Sequence, residues 1–197
     1  MKKNYFSDQT GRSMVEMLGV LAIIGVLSIG GISGYSKAMA KYRVNKTLDQ
    51  ISMLVMNIRS LYSANTDYSG LTSKIAIQMG IIPNDMLQGT TQSKASKIYN
   101  AYQGIVNLAA GTNSQQFTVT YAGLPKEACV VIATADWGSQ AGSGLLSIAV
   151  GASTNKTTPG TPGSTYTVDQ LPLALGTAAS KCSNAGDGGN TIVWTYY

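Results

Sequence analysis

An apolar run from Met14 to Ile32 dominates the start of the chain, with Glu16 as its one charge. A helix rises about 1.5 Å per residue, so a run of this length reaches roughly 28 Å, close to a hydrocarbon core. Gly30 and Gly34, near its far end, form a small-xxx-small pair that lets helices approach closely. From Lys37 onward the pattern turns amphipathic. Val44, Leu48, Ile51, Val55, Ile58 and Tyr62 recur every three or four positions, and Lys41, Asn45, Lys46, Asp49 and Arg59 fall on the other side. No Pro or Gly interrupts 35–62. One continuous helix is therefore predicted over residues 12–62, apolar all round from 14 to 32 and laying one stripe on a globular head thereafter.

The remainder, 63–197, has mixed periodicity. Ser73–Met79 predicts a short helix stopped by Gly80, followed by Ile81-Ile82-Pro83. Ile105–Ala109, Phe117–Tyr121 and Leu145–Val150 predict strands, and Pro125–Ala133 a helix with Pro125 near its start. Residues 152–165 are polar and rich in Thr, Pro and Gly, which predicts a surface loop. Leu171–Cys182 is expected to contain a helix, and the alternation in Thr191–Tyr197 predicts a closing strand.

The chemistry that changes this picture lies at the mouth of the apolar run. A carboxylate in lipid costs roughly 2.5–3.5 kcal/mol at mid-membrane and less near an end, so Glu16 calls for a partner. It is the fifth residue after Gly11. A cut after Gly11 would give Arg12 a new α-amino group that could neutralise a carboxylate on a neighbouring subunit. The segment from Gly11 through Glu16 into the apolar run resembles the processing motif of type IV prepilins. Thr10 stands where Lys or Arg is common in that motif, and Arg12 where Phe or Met is usual. The resemblance implies a leader at residues 1–11, a prepilin peptidase acting between Gly11 and Arg12, and a pairing of Glu16 with Arg12 during assembly. No small-x-small cut site follows the apolar run, so the run is expected to stay in the mature protein.

Cys129 and Cys182 are the chain's two cysteines. In an exported protein an even pair reads as one disulfide. Lys37, Lys41, Arg43 and Lys46 lie just past the apolar run and would alone favour the cytoplasmic side; the leader motif and the cysteines place that side outside. The Gly80-Ile81-Ile82-Pro83 segment, one Cys in each of two helical segments and the closing strand at 190–196 widen the likeness to the type IVb pilins. That implies an α+β fold, a long N-terminal helix packed on an antiparallel β-sheet head with one disulfide, and a division into 1–11, 12–62 and 63–197.

Composition narrows the function. The net charge is +5, and the leader would remove Lys2, Lys3 and Asp8. This mild, dispersed excess does not point to nucleic acid as the main partner. Histidine is absent, so no Ser-His-Asp or Cys-His arrangement and no imidazole metal site can form. The Gly186–Asn190 segment holds a single carboxylate and reads as a turn rather than a calcium loop. No catalytic, cofactor or metal residue is identified. The resemblance implies a structural pilus subunit that waits in the inner membrane as a single-span protein in contact with lipid. The pilus machinery then polymerises it with its own copies into an extracellular filament for adhesion, aggregation or conjugation. The alternatives are a type II secretion pseudopilin or minor pilin and, more remotely, a membrane-anchored periplasmic enzyme.

Overall fold

The computed structural model describes residues 10–65, 67–88, 97–138, 143–153, 155–186 and 188–197, with side chains from residue 14 on. Helix α1 runs over Thr10–Tyr62, and the chain divides into two compact units between residues 42 and 43.

Every described side chain from Met14 to Ala38 is exposed. This helix is long and apolar enough to cross a membrane, and its most apolar window is unburied.

The second unit is an antiparallel sheet with helices on it. In chain order it contains the end of α1, α2 (Ser73–Gln78), a 3-10 turn at Asn84–Met86, β1 (Ile98–Tyr99), β2 (Ile105–Ala110) and β3 (Phe117–Leu124). Then come α3 (Lys126–Ala133), β4 (Leu145–Ala152), β5 (Ser164–Thr167), a second 3-10 turn at Val168–Gln170, α4 (Leu175–Lys181) and β6 (Asn190–Tyr196). The six strands lie in the order β1-β2-β3-β6-β4-β5. The strand that closes the sequence is thus central, antiparallel to β3 on one side and β4 on the other. Its residues Ile192, Trp194 and Tyr196 are buried. The expected antiparallel head and its main elements are all present.

The face that α1 turns to the core differs from the predicted stripe. Thr47, Gln50, Ile51, Leu54, Val55 and Ile58 are buried, whereas Val44, Leu48 and Tyr62 are only half-buried. The buried face is rotated toward Thr47, Gln50 and Leu54, and two of these are polar. Each polar residue finds a partner for a donor, although the buried Gln50 Oε1 has none. The Thr47 hydroxyl donates to the Arg43 carbonyl one turn back. The Gln50 amide donates to Asp85 Oδ2 at 2.9 Å. A buried polar group with such a partner loses little, so the packing, dominated by Leu54 and Ile58, sets the rotation.

Two residues expected on the opposite, solvated side are also engaged. Lys46 Nζ lies 3.0 Å from Asp85. The Arg59 guanidinium lies over the Tyr196 ring, 5.3 Å from its centroid, and donates to the Tyr197 carbonyl at 3.2 Å. Gly144, at φ +69°, leaves room for that guanidinium: a Cβ there would collide with Arg59 Nη2.

The polar stretch at 152–165 is a surface loop only in part. Ser153 is buried, and its hydroxyl donates to the carbonyls of Asn155 and Thr158. The Ile105 N–H donates to the Lys156 carbonyl at 2.8 Å. Residues from Ser164 on form the edge strand β5, paired with β4. Several of the loop's backbone groups are thus satisfied by Ser153 and by the sheet beside it, which its polar composition does not reveal.

Candidate functional site

Among the described residues no three His, Cys, Asp or Glu gather as metal ligands. The features that can do work are surfaces and staples, and they start at the apolar helix.

Twelve large hydrophobic side chains between Met14 and Ile32 are more than half exposed. Burying each would yield roughly 1.5–3 kcal/mol. Their sum exceeds the ~5–15 kcal/mol that holds a typical domain together. Such a surface has to be covered by lipid or by protein. Glu16 lies on this helix, exposed like its neighbours. Gly11 and Arg12 fall in the first turns of α1. The Arg12 side chain lies outside the described residues, so its expected pairing with Glu16 is not described.

Cys129 on α3 and Cys182 at the end of α4 are joined, with Cα atoms 5.8 Å apart. Both are fully buried. The bond ties two short helices across a separation of 53 residues. Neither helix has a side-chain N-cap, so the covalent tie and the packing around Ala128, Ile132 and Ala178 hold them in place.

A second staple joins α1 to the turn at Asn84–Met86. Asp85 accepts from both Lys46 and Gln50. Partial burial raises its carboxyl pKa, but these two donors outweigh that and hold it below the ordinary carboxylate value. The Lys46 and Asp85 side chains are 32% and 43% exposed, so the ion pair is worth no more than about 1 kcal/mol. Its value is to set the register of α1 on the head.

Beside α1 a groove of about 370 Å³ opens between Val55, Met56, Arg59, Asp136, Trp137 and Tyr196. Trp137 is held edge-on against Trp194, with centroids 5.1 Å apart, and its indole N–H donates to the Ile132 carbonyl. Burial pushes the Tyr196 hydroxyl up to about 12, opposed by the nearby Arg59 charge. The groove is therefore neutral tyrosine, tryptophan and methionine, with one basic side chain, Arg59, and one acidic side chain, Asp136, both in its lining. Sequence periodicity does not predict it, because α1, β6 and the segment after α3 each supply a part. The available signal was Met56, off the predicted stripe and exposed in the structure.

Comparison with known proteins places this architecture. Residues 41–197 match the family model described as PilS N terminal. The chain is 29% identical over 143 residues to the major structural subunit of bundle-forming pilus of Escherichia coli O127:H6 (strain E2348/69 / EPEC), covering 72% of this chain and 70% of that protein. The same subunit of Escherichia coli O111:H- matches equally, at 29% over 143 residues with the same coverage. Among solved structures, the crystal structure of a type IV b pilin from Salmonella typhi aligns with TM-score 0.54 at 24% identity, covering 77% of this chain and 98% of that one.

Proposed function

Since the chain belongs to the PilS N-terminal family and is a type IVb-like pilin, we propose that it is cut after Gly11 by a prepilin peptidase and polymerises through its apolar helix. The structural subunit role comes with the family. The observation that carries the mechanism is the wholly exposed apolar surface of α1 between Met14 and Ile32. Before assembly that surface sits in the inner membrane, where the hydrocarbon core matches its length. In the filament it is covered by copies of itself, and the heads face outward. Burial of the same side chains is served in both settings, so transfer from lipid to filament does not expose them to water.

Glu16 gives that transfer its register. Among packed apolar helices an unpaired carboxylate costs several kcal/mol. The α-amino group that cleavage creates on Arg12 of an adjacent subunit neutralises it, and the pilus assembly machinery supplies subunits one at a time. Edman sequencing or intact mass of the protein from cells with an active prepilin peptidase tests the first step. The mature chain is expected to begin Arg-Ser-Met-Val-Glu. A chain retaining Met1, or starting elsewhere, contradicts the cleavage assignment. Gly11→Val should leave uncut precursor in the membrane fraction.

A further inference from the structure

Just past its apolar run, α1 carries charge of one sign. No acidic residue lies between Glu16 and Asp49. Lys37 and Lys41 fall four positions apart, on one side of the helix, and both are exposed. Like charges at that spacing repel each other. Among the described residues neither amine meets a carboxylate. Tyr35, 67% exposed, is the first aromatic residue after the apolar run. Bases on the outer side of a membrane span run against the ordinary charge bias, so this pair calls for an anionic partner on that side.

Distance along the helix selects the partner. Measured from Ile32, the end of the apolar run, Tyr35 stands about 4–5 Å further along the axis, Lys37 about 7–8 Å and Lys41 about 13–14 Å. The headgroup zone on each side of a hydrocarbon core is roughly 5–8 Å deep. Helical side chains lean toward the helix N-terminus, which here is toward the bilayer, and a lysine stem lets its amine reach back to the interface. Both amines therefore come to the shell that holds lipid phosphates, with the Tyr35 ring at the level where tyrosine is favoured. Resting on the reading above that the chain waits in the membrane, we propose that Lys37 and Lys41 together bind the phosphate of an anionic phospholipid in the leaflet on the head side. A zwitterionic lipid compensates its phosphate with its own amine, whereas an anionic one leaves that charge to be met by the two ammonium groups. The contact also sets depth. Glu16 lies about 28 Å from Tyr35 along the same axis, so a lipid held at one boundary keeps the carboxylate at the other, away from the costly centre.

Lipid selection by the full chain tests the contact. The chain is reconstituted in phosphatidylcholine vesicles that hold a trace of spin-labelled phosphatidylglycerol or of spin-labelled phosphatidylcholine. Electron spin resonance then gives the fraction of each label whose motion the protein restricts. Phosphatidylglycerol is expected to be preferred by about fivefold or more. Lys37→Gln/Lys41→Gln should lose most of that preference. Lys74→Gln/Lys181→Gln, which removes two exposed bases from the head, should keep it. No preference in the wild-type chain overturns the proposal, as does an equal loss from the two double variants. An unchanged preference in Lys37→Gln/Lys41→Gln overturns it too; if sheared filaments fall in that same variant, the two lysines meet carboxylates of another copy instead. A wild-type chain that a carbonate wash strips from the vesicles sinks the membrane reading itself, so the two failures are told apart.

Discussion

Glu16 is the residue on which the assembly mechanism turns. It lies exposed in a helical run, Met14 to Ile32, made otherwise of Met, Val, Leu, Ile, Ala, Gly and one Ser. A sequence tolerates a carboxylate there only with a counter-charge, and the cleavage we propose after Gly11 would create one on the neighbouring copy. Glu16→Gln keeps the size and removes the charge. Folding, cleavage and membrane insertion should be unchanged, while the filament yield should fall sharply, since the Arg12 amine then lacks its mate. Surface shearing with electron microscopy, beside a membrane-fraction blot, makes the measurement. Wild-type yield from both Glu16→Gln and Glu16→Ala would show that the charge pair is dispensable. At this scale the sequence was informative, because Glu16 is a lone charge in a uniform background. It was silent about Arg59. As one more base on a polar helix face Arg59 has no distinguishing signal, and its place over Tyr196 depends on space left by Gly144 in another element.

Elements were legible in proportion to how well their own residues define them. The long helix, α3 and the closing strand were read directly, from an uninterrupted apolar run, from Pro125 and a compact apolar segment, and from alternation. The edge strand β5 was not, since Ser164-Thr165-Tyr166-Thr167 is polar and pairs with one neighbour only. Two-residue β1 is too short to show a period. The rotation of α1 was missed because Thr47 and Gln50 are polar, and their burial depends on partners at Arg43 and Asp85.

The staples between elements lead to two expectations. Replacing Cys129 and Cys182 together by Ala removes a covalent closure of 53 residues, which the chain-entropy model values at roughly 4 kcal/mol. The denaturant midpoint of the full chain in detergent should drop accordingly, and an unchanged midpoint would contradict a stabilising role. The Asp85 staple predicts a pH dependence. Its carboxyl is held below the ordinary value, so its contribution is complete above the unfolded carboxyl pKa, about 3.9. It fades as pH falls through the lower folded value. As pH falls below about 4 the melting temperature of wild type should fall more steeply than that of Asp85→Asn. Parallel curves would show that Asp85 adds no pH-dependent stability.

The whole molecule joins a helix that water cannot tolerate uncovered to a head that has its own core. Ile51, Leu54 and Ile58 belong to that core together with Trp194, Phe117 and Ile132, so the second half of α1 is part of the head while its first half is left to find other cover. The change of hydropathy along the helix is legible in the sequence itself. Sequence reasoning did not reach the groove, which exists only once α1, β6 and the segment after α3 meet. The most direct measurement is on filaments sheared from cells expressing this chain with its prepilin peptidase and assembly machinery, imaged by electron microscopy and analysed by mass spectrometry. Filaments whose principal protein is this chain, beginning at Arg12 and carrying the Cys129–Cys182 bond, are expected. A sheared fraction without it, with all of the cleaved chain remaining in the inner membrane, would contradict its role as a filament subunit.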